Sequence, residues 1–147
     1  MKNVIVKFSS IQGKGVYALK DFNKNDIVLT IDDTHVVTDP KKLTDEEYEN
    51  HCDYFDDKIV LMQSPEVYIN HSCNPNTYLK TINGLRELIA MGDIKEGDEI
   101  TYDYSINGDN EGTFECRCGS VNCRKSYNGS FFKLPLEIKK RYLPYLD

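Results

Sequence analysis

The sequence predicts a mainly β domain made of several small sheets, with few and short helices. Short apolar runs recur along the chain, and each is bounded by polar or glycine-containing turns, a pattern typical of short strands. Two segments, 45–52 and 134–146, break this rhythm and have features of short helices. The chain has 147 residues, 39% of them hydrophobic and 29% charged, as expected for one compact domain.

The strand candidates are apolar or alternating stretches that end at turn-forming residues. Side chains alternate between the two faces of a strand, so such stretches can bury one face against a core. Glycines at positions 13 and 15 interrupt the first apolar run and favour a turn there. The predicted strands are Val4–Phe8, Val16–Leu19, Ile27–Ile31, Ile59–Met62, Tyr78–Ile82, Leu88–Met91 and Glu99–Tyr104.

The two helix candidates have recognisable start signals. Thr44 is an expected N-cap, and Glu47 three residues later completes a capping box, which predicts a helix over 45–52. Pro135 suits a first helical position, because its missing N–H has no partner there in any helix. Apolar residues then recur at a spacing of four, at Leu134, Ile138 and Tyr142. This spacing predicts a short amphipathic helix packed on the domain.

Charge and composition exclude several classes of function. The formal net charge of −6 argues against direct binding to nucleic-acid backbones, which requires a basic surface, and suits a cationic partner. The N-terminal residues lack the pattern of a signal peptide, and no apolar stretch is long enough to span a membrane. We therefore expect an intracellular protein, cytoplasmic or nuclear, that makes no membrane contact. In a reducing compartment the five cysteines are better interpreted as metal ligands or free thiols than as disulfides.

Two polar segments follow predicted strands or turns. Glycines in the segment GKGVY, residues 13–17, allow a ligand to approach the backbone closely, although a G-x-G alone more often marks a turn. The segment NHSCNPN, residues 70–76, directly follows an apolar run. Its amide, imidazole and hydroxyl groups could anchor a ligand or brace a surface loop.

A group of three cysteines predicts a metal site that lacks one ligand. Cys116, Cys118 and Cys123 lie close together in sequence, and Gly119 allows the loop between them to turn. Structural zinc takes four thiolate or imidazole ligands in a tetrahedral arrangement, so one more ligand is needed. The candidates elsewhere in the chain are Cys52, Cys73, His51 and His71.

The segment GDEITYDY, residues 97–104, places two phenols on one face of a predicted strand. Side chains two residues apart share a face, so Tyr102 and Tyr104 can line a narrow pocket together. Such a pair is more often ordinary half-buried packing. Its significance comes from the other motifs around it.

Taken in chain order, with the cysteine group after the tyrosine segment, the four motifs resemble the SET domain with its post-SET zinc motif. They extend from Gly13 to Cys123, over most of the chain. The resemblance implies a β-clip-like fold of small curved sheets, with a knot-like threading of the C-terminal segment that is rare among proteins. It also implies a protein lysine N-methyltransferase that uses S-adenosylmethionine and one structural zinc ion. The expected divisions are a SET domain over 1–110, a post-SET zinc segment over 111–128, and a helical tail over 129–147.

The resemblance assigns roles to individual residues. Tyr104 matches the catalytic tyrosine of the family, and Tyr102 matches a position that influences how many methyl groups are added. Cys73 is implied as the fourth zinc ligand beside Cys116, Cys118 and Cys123, which leaves Cys52 as a free thiol. The residues expected to contact the cofactor are Lys14, Gly15, Val16, Tyr17, Asn70, His71 and Tyr127.

The expected substrate is a lysine side chain in a basic protein segment, such as a histone. A tyrosine at position 102 leaves less room than phenylalanine, which favours monomethylation with some dimethylation. The sequence departs from the family at Val67, where an arginine is common, and resembles a compact form without the cysteine-rich segment that precedes many SET domains. The alternative is a non-catalytic SET-like protein-binding module, although such proteins usually lose the tyrosine or the Asn-His pair.

Overall fold

The protein was analysed as a computed structural model that describes residues 2–107 and 112–147. Within these residues the chain forms eleven strands and two α-helices. The strands are β1 (Val4–Phe8), β2 (Lys14–Ala18), β3 (Ile27–Thr30), β4 (Cys52–Phe55), β5 (Lys58–Leu61), β6 (Asn70–His71), β7 (Thr77–Ile82), β8 (Leu85–Ala90), β9 (Glu99–Tyr102), β10 (Phe114–Glu115) and β11 (Ser126–Tyr127). The α-helices are α1 (Asp45–Asn50) and α2 (Leu136–Tyr142). Short 3-10 helices cover Pro40–Lys42, Glu66–Tyr68, Phe131–Lys133 and Leu143–Tyr145.

The strands form two larger sheets and two hairpin-sized ones. The first larger sheet has the order β1-β2-β9-β6, in which β6 pairs with β9 in parallel and the other pairs are antiparallel. The second is antiparallel, with the order β3-β8-β7. The pairs β4-β5 and β10-β11 are separate two-stranded sheets. This arrangement confirms the prediction of a mainly β fold with several small sheets and few short helices.

The main core joins the two larger sheets, because their apolar faces supply most of its members. Side chains from β1, β2, β3, β8 and β9 meet there, and burial of such side chains is the main favourable term in folding. Its buried members are Val4, Val16, Ala18, Phe22, Val28, Ile69, Leu88, Ala90, Ile94 and Ile100. A second, smaller core forms where the C-terminal tail packs on the domain, from Ile106, Leu134 and Tyr142.

Most predicted elements are found close to their predicted positions. Helix α1 begins after Thr44, whose side chain accepts from the Glu47 backbone N–H while the Glu47 side chain accepts from Thr44, as the capping box predicts. The helix ends at Asn50, earlier than predicted, because strand β4 begins at Cys52 and was not predicted. Pro135 is the N-cap of α2 rather than its first residue, since its backbone is extended.

Further predictions concern the boundary after residue 110 and the C-terminal segment. The predicted boundary between residues 110 and 111 lies outside the described residues, and the knot-like threading stays a prediction. The packing of the tail on the domain is visible in the burial of Leu134 and Tyr142, at 4% and 1% exposure. Neither α-helix in the described part of the chain is long and apolar enough to cross a membrane.

Candidate active site and metal centre

The parallel pairing of β6 with β9 brings two of the polar motifs side by side. Asn70 is opposite Thr101, and His71 is opposite Tyr102. Parallel strands require a long connection, so this contact joins segments that the sequence separates by the whole of β7 and β8. The Asn-His pair and the tyrosine motif therefore form one site.

The Asn70 side chain fastens the glycine segment to this pair of strands. Its Nδ2 atom donates to the backbone oxygen of Lys14 and to Glu99 Oε1, each at 2.9 Å. The Ser9 hydroxyl also donates to Glu99, at 2.8 Å. A Cβ at Gly15 would lie 2.2 Å from Glu99 Oε1 and 2.9 Å from Ser9 Cβ, so a side chain there would displace the carboxylate that Asn70 and Ser9 hold. This close contact is a steric reason for a glycine at position 15.

A cleft of about 850 Å³ opens beside the glycine segment. Phe8, Lys14, Tyr17 and Tyr68 contribute to its wall, and the Lys14 ammonium lies 5.2 Å from the Tyr68 ring centroid. This volume is within the usual range for small-molecule sites in proteins. Two predicted cofactor residues, Lys14 and Tyr17, line this cleft, whereas Val16 is fully buried in the core.

Tyr102 and Tyr104 are adjacent, although the strand ends before Tyr104. Their ring centroids are 4.7 Å apart. The Tyr104 hydroxyl donates to the backbone oxygen of Ile69 at 2.5 Å. Burial raises the pKa of both phenols above the ordinary value, so both stay protonated at neutral pH. The predicted strand Glu99–Tyr104 is two residues too long, because backbone pairing stops at Tyr102.

His71 is buried and neutral. Burial lowers its pKa to about 4, against the opposing effect of Asp103, whose carboxylate lies 3.5 Å from Nδ1. The Nδ1 atom accepts from the backbone N–H of Tyr104 at 3.1 Å. In the neutral ring the hydrogen is then on Nε2, which faces Cys73 Sγ at 3.6 Å. His71 therefore connects the tyrosine segment to the cysteine cluster.

Asp103 is a fully buried carboxylate with partners from two distant segments and from the neighbouring backbone. Arg124 Nη2 lies 2.8 Å from Oδ2, and the Tyr142 hydroxyl donates to the same oxygen at 2.7 Å. The backbone N–H of Ser105 donates to Oδ1 at 2.9 Å. A buried charge is costly unless it is paired and hydrogen-bonded, and this one is. Asp103 thus ties the tyrosine segment to the cysteine loop and to helix α2.

Four rings, those of His71, Tyr104, Phe114 and Tyr127, pack against one another. The Phe114 and Tyr127 rings stack with centroids 4.6 Å apart, because β10 and β11 pair their residues directly. Tyr127 is 5.3 Å from His71 and 6.0 Å from Tyr104. The predicted contact residue Tyr127 is therefore part of the same cluster, at 5% exposure.

The predicted metal ligands lie together in space. The sulfur atoms of Cys73, Cys116, Cys118 and Cys123 lie within 4.8 Å of one another. Cys73 and Cys116 are 3.7 Å apart, close to the edge of about 3.8 Å expected for a tetrahedron with zinc–sulfur bonds of about 2.3 Å. Cys52 is a separate free thiol, as expected. The four sulfurs therefore fit one zinc ion.

The pKa values of the clustered thiols show how the site would respond to a bound cation. Burial raises the pKa of the Cys73 and Cys116 thiols, which favours their neutral forms. Burial also acts to raise the pKa of Cys118, but hydrogen bonds from Ser120 and the backbone lower it to about 6. A bound cation deprotonates coordinating thiols. The donor set therefore has the chemistry of a zinc site with no open position.

Sequence reasoning missed three residues that organise the site: Glu99, Asp103 and Arg124. Glu99 and Asp103 lie inside the motif that contains both tyrosines. A charged residue between two phenols was a signal that could have singled out Asp103. No local signal marks Arg124, because its partner is 21 residues away in sequence.

The model of the SET domain family matches residues 13–105. The chain belongs to the SET domain family. A Drosophila melanogaster relative, "Histone-lysine N-methyltransferase trr", is 32% identical over 140 residues, which cover 86% of this chain and 6% of that protein. "Histone-lysine N-methyltransferase 2D" of Homo sapiens is 34% identical over 142 residues, covering 86% of this chain and 2% of that protein. This SET domain thus matches a small part of each relative's length.

A solved structure supports the fold. KRYPTONITE, crystallised with mCHH DNA, an H3(1-15) peptide and SAH, has a TM-score of 0.63 at 23% identity. The match covers 86% of this chain and 29% of that one. At this identity the likeness concerns the fold alone, and it agrees with the small sheets and short helices described above.

Proposed function

We propose that this SET domain is an S-adenosylmethionine-dependent protein lysine N-methyltransferase. The observation that carries the proposal is the assembly of Asn70, His71, Tyr102 and Tyr104 where β6 pairs with β9, with Asn70 also bonded to the Lys14 backbone. Separate parts of the chain supply these groups, and their proximity supports a shared role. Relatives above 30% identity are named as histone-lysine N-methyltransferases, which supports the same activity.

The residues present suit methyl transfer to an amine. Bound S-adenosylmethionine supplies a methyl carbon on a positively charged sulfur. A free lysine has a pKa of about 10.4, so it must lose a proton before it can attack. The half-buried rings of Tyr102 and Tyr104 form a poorly solvated environment that disfavours the ammonium form. The Tyr104 hydroxyl donates its one hydrogen to the Ile69 carbonyl, so its oxygen orients the reacting groups as a neutral acceptor and does not act as a base.

The zinc ion has a structural role in this proposal. Cys73, Cys116, Cys118 and Cys123 would hold it, and it would fix the hairpin that carries Phe114 and Tyr127 against His71. The metal would therefore stabilise one wall of the cofactor site. With all four positions filled by sulfur, it would not activate water.

The proposed substrate is a lysine in a basic protein segment, with histones first among the candidates because of the relatives' names. The net charge of −6 favours the approach of a cationic peptide. We propose that monomethylation dominates, because the Tyr102 hydroxyl occupies room beside the amine. A mass spectrum dominated by trimethyl-lysine would contradict this part of the proposal.

The activity can be tested with labelled S-adenosylmethionine and a panel of core histones and other basic proteins. Label on lysine that depends on Tyr104 is the expected result. Tyr104→Phe removes one hydroxyl, and Tyr54→Phe is a matched control at a ring that is 70% exposed.

Two other outcomes distinguish the alternatives. Cofactor binding without transfer to any panel member indicates a narrower substrate. Neither binding nor transfer, from a protein that is folded and holds zinc, supports the alternative of a non-catalytic SET-like binding module.

A further inference from the structure

Arg124 lies between the cysteine cluster and the buried carboxylate of Asp103. It follows Cys123 directly in the chain, and its backbone N–H donates to the Cys73 sulfur at 3.4 Å. Its guanidinium lies against Asp103, with Nη2 at 2.8 Å from Oδ2 and 3.0 Å from Oδ1. One residue therefore contacts a predicted metal ligand through its backbone and the tyrosine segment through its side chain.

The Arg124 guanidinium is more deeply buried than its contacts explain. The side chain is only 15% exposed. In the part of the chain that the structure describes, its Nη1 atom is the one buried side-chain nitrogen or oxygen without a hydrogen-bond partner. A buried donor without an acceptor is costly, so an orphaned guanidinium nitrogen needs a physical reason. A second negative charge close to this guanidinium would supply one.

The other close contacts of Asp103 do not neutralise its charge. The Tyr142 hydroxyl donates to it as a neutral group. His71 Nδ1 lies 3.5 Å from the carboxylate but accepts from the Tyr104 backbone N–H, so this nitrogen has no hydrogen to give to Asp103. Arg124 brings the positive charge that a fully buried carboxylate requires.

A zinc-loaded cluster would be the second negative charge. Four thiolates carry twice the charge of one Zn²⁺ ion, so the loaded cluster is a net anion. Cys73 and Cys116 are 0% and 5% exposed, so water screens that charge poorly. The His71 ring touches both charges, with Nδ1 near Asp103 and Nε2 at 3.6 Å from the Cys73 sulfur. One imidazole ring thus separates two anions, which repel each other across a poorly solvated space.

We propose that Arg124 is the shared counter-ion of the Asp103 carboxylate and the zinc-loaded cysteine cluster, and that zinc affinity depends on its positive charge. The inference rests on the zinc site of the proposed function and adds a positioning residue to it. Arg124 is not a ligand, and it acts on the metal through the charge of the sulfurs. Residues that support metal ligands in this way tune the affinity of the site.

Arg117 offers a matched comparison within the same loop. It lies between Cys116 and Cys118, but its side chain is 73% exposed and pairs with Glu115 at the surface. Solvent screens a charge in that position, so it should contribute little to metal binding. A difference between the two arginines therefore reflects burial and the contact with Asp103, because both are neighbours of cysteine ligands in the chain.

The test measures zinc affinity of the full chain by competition with a chromophoric chelator. Arg124→Gln removes the charge and keeps much of the size, and we expect it to weaken zinc binding roughly 10–100-fold. Arg124→Lys should retain most of the affinity, because it keeps the charge. Arg117→Gln should bind zinc as tightly as wild type.

A double variant separates the charge of Arg124 from its role as a structural contact. Adding Asp103→Asn to Arg124→Gln removes the carboxylate that the guanidinium balanced, so the double variant should bind zinc more tightly than Arg124→Gln. Two lost structural contacts would weaken binding further, and that result overturns the proposal. If Arg124→Gln alone does not fold, a double variant that folds and binds zinc supports the proposal, and one that does neither overturns it.

Three further results also contradict the inference. Zinc affinity of Arg124→Gln within twofold of wild type overturns it, and so does an Arg124→Lys protein as weak as Arg124→Gln. An equal loss in Arg117→Gln overturns it as well, because the effect would then belong to any charge in the loop. A wild-type protein that binds no zinc overturns the proposed metal site together with this inference, whereas the other results leave the metal site intact.

Discussion

At the residue scale, the proposed methyl transfer depends on individual hydroxyl and carboxyl groups of this SET domain. The Tyr104 hydroxyl is fixed by the Ile69 carbonyl, so it is oriented before any ligand arrives. We expect Tyr104→Phe to lower kcat about a hundredfold, the order of loss that follows removal of one preorganised hydrogen-bonding group at a reacting centre. Calorimetry should find S-adenosylmethionine affinity unchanged. A kcat within twofold of wild type would rule out this role.

The raised pKa of Tyr104 leads to a prediction of how the methylation rate depends on pH. Burial disfavours the phenolate, so the Tyr104 hydroxyl is still protonated at pH 10, the ordinary phenol pKa being about 10. It loses its proton only at a higher pH. The fraction of neutral lysine meanwhile grows with pH. The methylation rate should therefore rise or level off up to about pH 10. A decline between about pH 8 and 9 would indicate a phenol that ionises early.

The Tyr142 hydroxyl is one of the donors to the buried Asp103 carboxylate. Tyr142→Phe keeps the packing of the ring and removes one hydrogen bond to a charge, so we expect a loss of about 1–3 kcal/mol in unfolding free energy. Urea unfolding measures this loss. Tyr145→Phe is the matched control on the same tail, and an equal loss there would make the effect nonspecific.

The sequence was informative about residues whose partners are local and uninformative about the others. The capping box of Thr44 and Glu47 needs only neighbours in the chain, and it is found as predicted. Asp103 was missed because its partners Arg124 and Tyr142 come close only through tertiary packing. The placement of Cys73 with the other three cysteines followed from the family resemblance, since the coordination count alone left four candidates.

At the scale of elements, the hairpin of β10 and β11 joins the cysteine cluster to the active site. Phe114 of β10 and Tyr127 of β11 pack on His71. Cys116 is the next residue in the chain after β10. We expect Cys118→Ser to lose bound zinc, lower the melting temperature and weaken S-adenosylmethionine binding, because the metal fixes this hairpin. Metal analysis and calorimetry measure these effects.

Cys52→Ser is the matched control for the zinc experiment, since Cys52 lies outside the cluster. It should keep both zinc and cofactor affinity. Normal cofactor binding by zinc-free Cys118→Ser protein would show that the hairpin is held by its aromatic contacts alone.

Element prediction succeeded where the strand was long enough to carry its own pattern. Strands β1 and β7 alternate or run apolar over five and six residues, and both were predicted. Strands β6, β10 and β11 have two residues each and were missed, as was the four-residue strand β4. Two residues contain no periodicity, so only their pairing partners determine that they are strands.

At the scale of the whole molecule, the cleft, the tyrosines and the hairpin come from distant parts of the chain, so a ligand that contacts them stabilises the fold as a unit. S-adenosylmethionine at about 100 times its Kd should stabilise the native state by about 2.7 kcal/mol. For a domain of this size that is roughly 5–10 °C in melting temperature. Thermal scans with and without the ligand measure the shift, and no shift at saturation would contradict the proposed cofactor.

The position of Tyr142 has a consequence for biosynthesis. Strands β1 to β9 end at Tyr102, so a ribosome has made both larger sheets before it reaches the cysteine loop and helix α2. The Asp103 carboxylate then still lacks Arg124 and Tyr142, and His71 lacks the rings of Phe114 and Tyr127. A chain that stops before the cysteine loop therefore contains the residues of both larger sheets but lacks these partners of Asp103 and His71.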